Sequence, residues 1–189
     1  METVSFRRMD EATAEDYELL DRYEREMLRA LPDRLLAAVD ALGDSYGGYK
    51  VTRKEHSLQS ATRAFRDGRS EEYVVAALLH DVGDLLAPHT HGEMMDAVLK
   101  PFVSEEIRWV VSHHGVFQEY YYGHLTGGDR NARERYRDHP WFDACAEFCE
   151  RYDQNCFDPD YESLPLEFFR PVVEEVFSRR RYPADELSM

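Results

Sequence analysis

Histidine and aspartate residues follow one of the apolar segments of this chain. Residues 76–93, AALLHDVGDLLAPHTHGE, end an apolar run on His80 and Asp81 and then add two more histidines. A carboxylate buried at the end of an apolar helix is costly unless a cation pairs with it, and a metal ion is one such cation. An aspartate also has two oxygens, so it can bridge two metals. The stretch therefore predicts a metal site.

Further candidate ligands fall on other predicted helices, so that a helical bundle could aim them at one centre. They are His56, His91, His113 or His114, and Asp153. Nitrogen and carboxylate ligands without thiolate suit iron, manganese, zinc, nickel or cobalt. Six protein ligands exceed what one tetrahedral zinc needs, which favours two metals. His89 competes with His91, but HGEMMDAVL reads as the start of a helix, whereas His89 follows Pro88 in a loop.

The composition is that of a globular protein. The chain has 189 residues, of which 43% are hydrophobic and 32% charged, which predicts a single domain over 1–189. Its net charge of −15 argues against nucleic acid and against an anionic membrane surface as partners. The same charge would tolerate or attract a cationic small substrate, or it could serve solubility alone.

The cysteines and the apolar runs bear on the cellular compartment. Cys145 and Cys149 lie four residues apart on a predicted helix, which favours reduced thiols in the core over a metal or redox cluster. The beginning of the chain shows no apolar signal segment, and the longest apolar run, residues 73–79, is too short to span a bilayer. We therefore expect a cytoplasmic protein.

Helix signals dominate the whole sequence. Amphipathic spacing and start signals such as Thr13, Ser70 and Ser104 predict helices throughout, and no alternating run indicates a strand. The segment ending at His113 and His114 is expected to be one of these helices. We predict an all-α bundle of about five core helices, with an N-terminal helical extension over 1–44 and a metal-binding core over 45–180.

The ordered set of ligands resembles the HD-domain metalloproteins over most of the chain. The resembling motifs are EHSLQS, LLHDVGD, HGEM, SHHGVFQ and ERYDQN. Within that family the chain is most similar to the mixed-valent diiron oxygenases, which include myo-inositol oxygenase and the phosphonate-cleaving oxygenases. The resemblance favours His114 over His113 as ligand, and it implies an HD-domain fold.

The resemblance also implies roles for these residues. Two iron ions, Fe(II) and Fe(III), would be held by His56, His80, Asp81 and Asp153 on one side, and by Asp81, His91 and His114 on the other, with O2 as co-substrate. Asp81 would bridge the irons. Tyr46, ten residues before His56, would cap one iron until substrate arrives.

Several polar residues are candidate substrate contacts. Asp84 stands where the related enzymes carry a lysine or histidine, so it could pair with a cationic group, or it could be a helix-end aspartate. Gln118 stands where the phosphonate enzymes carry a lysine. The other candidates are Gln59, Lys54 and Arg151, with Arg53 as a possible anion contact.

The expected function is cleavage of a C–P or C–C bond next to a hydroxyl-bearing carbon. The substrate would be small, and cationic or zwitterionic, such as a 1-hydroxy-2-(trimethyl)aminoalkylphosphonate. One alternative is a metal-dependent phosphohydrolase acting on a nucleotide or small phosphate ester with the same ligands. Another is a non-enzymatic ligand-binding domain, which the complete ligand set disfavours. The sequence leaves the oligomeric state open.

Overall fold

The computed structural model describes residues 2–45 and 47–180, and every regular element within those ranges is helical. The helices are α1 (Ala14–Arg29), α2 (Leu31–Ala41), α3 (Arg53–Arg66), α4 (Glu71–Leu79), α5 (His91–Leu99), α6 (Glu105–Tyr122), α7 (Phe142–Phe148) and α8 (Leu166–Ser178). A 3₁₀ turn over Val82–Leu85 follows α4, and a π-helical segment over Cys149–Asp153 continues α7. The predicted all-α class is confirmed.

Side-chain caps begin four of these helices. Thr13 and Thr52 form capping boxes at the starts of α1 and α3, in which the cap side chain and the third helical residue satisfy each other's backbone N–H groups. The Ser70 and Ser104 hydroxyls accept from backbone N–H groups in the first turns of α4 and α6. The predicted start signals Thr13, Ser70 and Ser104 are therefore confirmed.

The centre of the bundle is α4. All six residues of Val74–Leu79 are at most 2% exposed, because α4 packs against α3, α6 and α8. Further contacts join α5 to α6 and α6 to α7, so α3 to α7 surround the candidate ligands described below. The predicted core of about five helices therefore matches the structure, with α1, α2 and α8 added around it.

One helix is longer than the sequence predicted. The helix expected to end at His113 and His114 runs on to Tyr122. A glycine at position 115 costs about 1 kcal/mol relative to alanine. The burial of Phe117, which is 0% exposed, adds apolar contacts in the next turn that outweigh this cost. The added turns place Gln118 beside the centre.

The helix α2 shares the main core. Leu35, Leu36 and Val39 of α2 belong to the same buried cluster as the residues of α4. The division into an extension over 1–44 and a core over 45–180 stays a prediction. Among the described residues, the structure contains no helix with the length and apolar character needed to cross a membrane.

Candidate metal centre

The two residues that opened the sequence argument lie where α4 ends. His80 caps the helix, and Asp81 begins the following turn with φ −100° and ψ −1°. The two adjacent side chains meet at this point, with His80 Nε2 3.4 Å from Asp81 Oδ2. His80 is 0% exposed and Asp81 is 4% exposed. An aspartate is therefore buried beside the most apolar helix of the protein.

One oxygen of Asp81 faces a first cluster of ligand atoms. Its Oδ2 lies 3.3 Å from His56 Nε2 and 3.4 Å from His80 Nε2, and these two nitrogens are 3.2 Å apart. Asp153 Oδ1 completes the cluster at 3.4 Å from His56 Nε2 and 3.9 Å from His80 Nε2. We call these four residues the first cluster.

The other oxygen of Asp81 faces a second cluster. Asp81 Oδ1 lies 3.3 Å from His114 Nε2 and 3.5 Å from His91 Nε2, and the two nitrogens are 3.1 Å apart. Asp81, His91 and His114 form the second cluster. A single carboxylate thus presents one oxygen to each group of histidines, which is the arrangement of a bridging ligand.

The spacing within both clusters fits metal coordination. Neighbouring ligands on an ion with bonds of about 2.1 Å lie about 3.0 Å apart in octahedral geometry and about 3.4 Å apart in tetrahedral geometry. The separations of 3.1–3.5 Å, with 3.9 Å for one pair, fall at or near these values. The structure therefore brings all six predicted ligands together as two adjoining sites.

The far side of each histidine ring is tied to the backbone. The Nδ1 atoms lie 3.1, 2.8, 2.6 and 3.4 Å from carbonyl oxygens of Cys156, Ala77, Val111 and Pro88, for His56, His80, His114 and His91 respectively. A ring that donates from Nδ1 leaves the Nε2 lone pair free to bind a metal. All four rings are thus held in the tautomer that a metal requires.

The clusters need a cation. With Nδ1 protonated, the Nε2 lone pairs of two histidines face each other and a carboxylate, which is repulsive until a positive charge lies between them. Asp153 Oδ2 is also buried without a hydrogen-bond partner. These features fit a bound metal ion, since an ion would satisfy the facing lone pairs.

The pKa values of the histidines also indicate that Asp81 and Asp153 favour a positive charge in the first cluster. Burial lowers the pKa of His80 to about 4, against the opposing effect of Asp81 and Asp153. For His56, burial also acts to lower the pKa, but hydrogen bonds that the ring donates to Asp153 and Asp81 outweigh it and raise the pKa to about 9. A proton on His56 thus supplies positive charge to the first cluster when no metal does.

Both carboxylates stay ionised despite burial. Burial acts to raise the pKa of Asp81, but His80, His114, His56 and Arg53 together hold it well below its usual range. The pKa of Asp153 is lowered in the same way, because His56 and His80 outweigh its burial. Both aspartates are therefore available as anionic ligands.

Asp84 and Arg53 are paired with each other. Arg53 Nη2 donates to Asp81 Oδ2 at 2.6 Å and also to Asp84 Oδ2, and Asp84 Oδ1 lies 3.2 Å from His91 Nδ1. The sequence had offered Arg53 as an anion contact and Asp84 as a cation contact. The structure instead engages both with groups of the centre, and substrate contact by Asp84 stays a prediction.

Of the two predicted glutamine contacts, Gln118 lies next to the first cluster and Gln59 contacts the segment after Asp153. Gln118 donates to Asp153 Oδ1 at 2.7 Å, and its Oε1 is buried without a partner. Gln59 is 2% exposed, donates to the Asp158 carbonyl at 2.7 Å and accepts from the Asp158 N–H at 3.3 Å. Gln59 therefore anchors the segment after Asp153. Their contacts with substrate stay predictions.

The two predicted cationic contacts pair with surface acids. Lys54 lies 2.5 Å from Asp40, and Arg151 pairs with Asp67 at 2.8 Å and with Glu147 at 3.0 Å. The structure does not bring either residue to the clusters, and their substrate roles stay predictions. Tyr46, the predicted iron cap, lies outside the described residues.

The rival histidines lie apart from the ligand atoms. His113 stacks on Trp109 at 4.2 Å and shares its Nδ1 with Ser112 and the Trp109 carbonyl. His89 is exposed in the loop before α5. The structure thus favours His114 and His91 as the members of the second cluster.

Sequence reasoning missed two supports of the first cluster. Phe157 stacks on the His56 ring at 4.5 Å, and Tyr49 packs on Phe157 at 4.8 Å. The π-helical segment was also missed, and it ends on Asp153. The aromatic residue after Cys156 was visible in the sequence, but no spacing rule linked it to a histidine a hundred positions earlier.

Cys145 and Cys149 are free, buried thiols that contact the backbone of α6, in agreement with the prediction of reduced cysteines in the core. Cys149 donates to the His114 carbonyl at 3.4 Å, and Cys145 donates to the Val110 carbonyl at 3.6 Å. Burial raises the pKa of Cys149 well above its usual range, so the thiol stays protonated. Cys149 therefore acts as a hydrogen-bond donor to the helix that carries His114.

No protein-family model matches this chain. A stretch of 93 residues is 37% identical to [1-hydroxy-2-(trimethylamino)ethyl]phosphonate dioxygenase (glycine-betaine-forming) from Leisingera caerulea, covering 43% of this chain and 47% of that enzyme. The chain thus spans about half the length of the curated relative that it matches. Over part of its length, this protein with its two histidine and aspartate clusters is similar to an oxygenase.

Proposed function

We propose that this protein is an O2-dependent diiron oxygenase of the HD-domain type. It cleaves a C–P or C–C bond next to a hydroxyl-bearing carbon in a small substrate. The proposal is carried by one observation, the carboxylate of Asp81 between two histidine clusters, with Oδ1 and Oδ2 each 3.3–3.5 Å from two Nε2 atoms. The partial similarity to a phosphonate dioxygenase supports the oxidative reaction over hydrolysis.

The ligand set fits a pair of irons. His56, His80, Asp81 and Asp153 would hold the first ion, and Asp81, His91 and His114 the second. When bound, such a pair would supply a Lewis acid for the substrate hydroxyl and the electrons that activate O2. With only three protein ligands, the second ion would keep positions open for a substrate, whereas the first has four.

The protein residues orient the pair and limit the access of water. His56, His80, Asp81, Asp153 and His114 are each at most 4% exposed. Phe157 covers one face of His56. His91 is the most open ligand, with 23% of its side chain exposed. Substrate would therefore approach from the side of His91, and Tyr46 would serve as a cap of one iron until substrate arrives.

The substrate class follows from charge and from the relative. The net charge of −15 favours a cationic or zwitterionic small molecule over a nucleic acid or an anionic membrane. The matched relative is named for a substrate that carries a trimethylamino group and a hydroxyl beside the phosphonate. We therefore propose a 1-hydroxy-2-(trimethyl)aminoalkylphosphonate or a close relative of it as the substrate, and a cytoplasmic location for the enzyme.

The first experiment is metal analysis with EPR on protein from iron-rich medium, followed across stepwise reduction. Two irons per chain with a spin-coupled mixed-valent signal are expected. Three matched compounds are then compared. They are the trimethylammonium hydroxyphosphonate, the same compound without its hydroxyl, and a hydroxyphosphonate of equal size in which an uncharged group replaces the trimethylammonium. Only the hydroxylated compounds should perturb the signal and consume O2, and the cationic one should do so at lower concentration.

The same ligands would also serve a phosphohydrolase, so the outcome must separate the two reactions. Release of phosphate from phosphate esters without O2, in protein loaded with manganese or zinc, would replace the oxygenase by the hydrolase. A protein that binds hydroxyphosphonates but turns over neither class would replace it by a binding module. Either result would contradict the proposal.

A further inference from the structure

Arg53 and Asp84 form a buried link between the two clusters. Arg53 Nη2 donates to the bridging Asp81 at Oδ2, 2.6 Å away, and also to Asp84. The other oxygen of Asp84 lies 3.2 Å from His91 Nδ1. The side chains of Arg53 and Asp84 are only 10% and 11% exposed. A continuous chain of charge-assisted contacts therefore runs from the bridging carboxylate to a ligand of the second cluster.

The link joins three separate elements of the fold. Arg53 is the first residue of α3, Asp84 lies in the 3₁₀ turn over Val82–Leu85, and His91 begins α5. Charge-assisted hydrogen bonds are about twice as strong as neutral ones. Burial of the Arg53 and Asp84 side chains limits the access of water to the contact between them. The pair therefore fixes the position of the first residue of α5 relative to α3.

His91 needs this support more than the other histidines do. Its Nδ1 lies 3.4 Å from the Pro88 carbonyl, the longest of the four contacts between a ring and a backbone carbonyl, while the others span 2.6–3.1 Å. A contact of 3.4 Å holds a ring weakly. His91 is also the most exposed ligand. The Asp84 carboxylate lies closer to this ring, with its Oδ1 3.2 Å from His91 Nδ1.

We propose that Asp84, held by Arg53, is a positioning residue for the second metal. It fixes the tautomer and the orientation of His91, and as an anionic acceptor it strengthens His91 as a ligand. An outer carboxylate of this kind is worth 10- to 100-fold in metal affinity. The inference rests on the dinuclear centre of the proposed function, but not on iron or on O2.

The test is a titration of metal-free protein with Co(II), followed by the visible spectrum, and with Zn(II) by calorimetry. Asp84→Asn should lower the affinity for the second metal equivalent about 10- to 100-fold. The affinity for the first equivalent should stay unchanged. Asp84→Ala should weaken the second equivalent further, because asparagine keeps an oxygen that can accept from the ring. A residue that only stabilised the fold would not separate the two equivalents or produce this order.

A matched control is available on α5. Asp96 pairs with Arg108 at 2.7 and 3.3 Å, with side chains 30% and 18% exposed, and this pair joins α5 to α6 without contacting a cluster. Asp96→Asn removes another ion pair, from the helix that begins with His91. It should leave both metal equivalents unchanged.

Three outcomes would overturn the inference: equal weakening of both equivalents by Asp84→Asn, no change in either, or wild-type protein that binds one ion per chain. Loss of binding of a cationic substrate with normal metal affinity would instead make Asp84 a substrate contact. A protein that binds two Co(II) ions and shows the expected Asp84 effect, but has no oxygenase activity, refutes the proposed function and leaves this inference standing.

Discussion

At the scale of single residues, three of the four histidines are held by one local device. The Nδ1 atoms of His80, His91 and His114 each lie next to the carbonyl oxygen three positions earlier, in Ala77, Pro88 and Val111. This contact needs a turn of the backbone and no particular side chain. A histidine can thus be oriented for a metal by the backbone carbonyl three positions earlier.

The choice between two neighbouring histidines gives a direct test at this scale. His114→Ala should lower the affinity of the second cluster for metal more than about 100-fold. That exceeds the upper end of what an outer-sphere partner contributes. The reason is that His114 Nε2 is one of three ligand atoms of the second cluster. Metal content after dialysis is the measurement.

His113→Ala is the control for this prediction. His113 stacks on Trp109, and its loss should lower thermal stability while metal content stays at the wild-type value. If His113→Ala loses metal and His114→Ala keeps it, the structure has assigned the wrong member of the pair.

At the scale of elements, the centre depends on the close approach of two chain segments. A Cβ added at Gly83 would lie 2.5 Å from the His91 carbonyl oxygen and 2.7 Å from its Cα. Both contacts are with backbone, which cannot turn aside as a flexible side chain can. The 3₁₀ turn therefore needs glycine at this position to approach the start of α5.

We expect Gly83→Ala to displace His91 and to weaken the second metal at least tenfold, with a loss of about 1–3 kcal/mol in unfolding free energy from overpacking. Chemical denaturation and Co(II) titration measure the two effects. Gly127→Ala is the control, since Gly127 has φ +81° and open space around it. It should lower stability through backbone strain and leave metal affinity unchanged, and equal metal affinity in both variants would contradict the prediction.

The carboxylate of Asp16 helps to join the N-terminal segment to α1. Asp16 accepts from the backbone N–H and hydroxyl of Ser5 at 2.7 and 2.9 Å, and from both groups of Thr13 at 3.0 Å. The backbone donors, Ser5 first and then Thr13, lower the pKa of Asp16 to about 2. Asp16 therefore ties the segment before α1 to the first turn of that helix.

A carboxyl group with a lowered pKa in the folded state stabilises above its unfolded value near 3.8 and loses this contribution as pH falls through about 2. The difference in melting temperature between wild type and Asp16→Asn should be constant above pH 4 and shrink between pH 4 and 2. Thermal melts across this range test the prediction. Asp10→Asn, at an exposed pair with Arg8, should show little difference at any of these pH values. A difference for Asp16→Asn that persists at pH 2 would contradict it.

At the scale of the whole molecule, two ionised aspartates lie next to the most buried helix. Asp81 and Asp153 are 4% and 3% exposed, and Arg53 is the cation that contacts Asp81. Facing lone pairs and anionic oxygens in the middle of the bundle oppose folding unless a cation binds among them. The stability of the molecule should therefore depend on metal.

Removal of metal with a chelator should lower the melting temperature and leave a protein that is folded but less stable. Restored metal at 100 times its dissociation constant should return about 2.7 kcal/mol per site by mass action. Differential scanning calorimetry with Zn(II) or Fe(II) measures this. Mg2+, which prefers oxygen ligands, is the control and should restore little. An unchanged melting temperature on chelation would contradict a metal centre in the core.

The sequence by itself determined the helical class and the candidate ligand types. The helical spacing, the caps at Thr13, Ser70 and Ser104, and the apolar run of α4 are local signals, and each depends on residues within a turn or two. Histidine and aspartate next to such a run pointed to a metal because burial of their charge requires a partner. These predictions needed no knowledge of which helices are neighbours.

The resemblance implied the division of the ligands into two groups, but only the tertiary structure decided which residues support them. Asp153 meets His56 across 97 positions, and Arg53 meets Asp84 across 31. The continuation of α6 past His114 was decided in the same way, by burial of Phe117 against other helices. Such contacts arise from the packing of helices far apart in the chain, and no local pattern carries them. The sequence therefore predicted the ligand types and their grouping, while the packing decided the distances between them and the contacts of Arg53, Asp84 and Phe157.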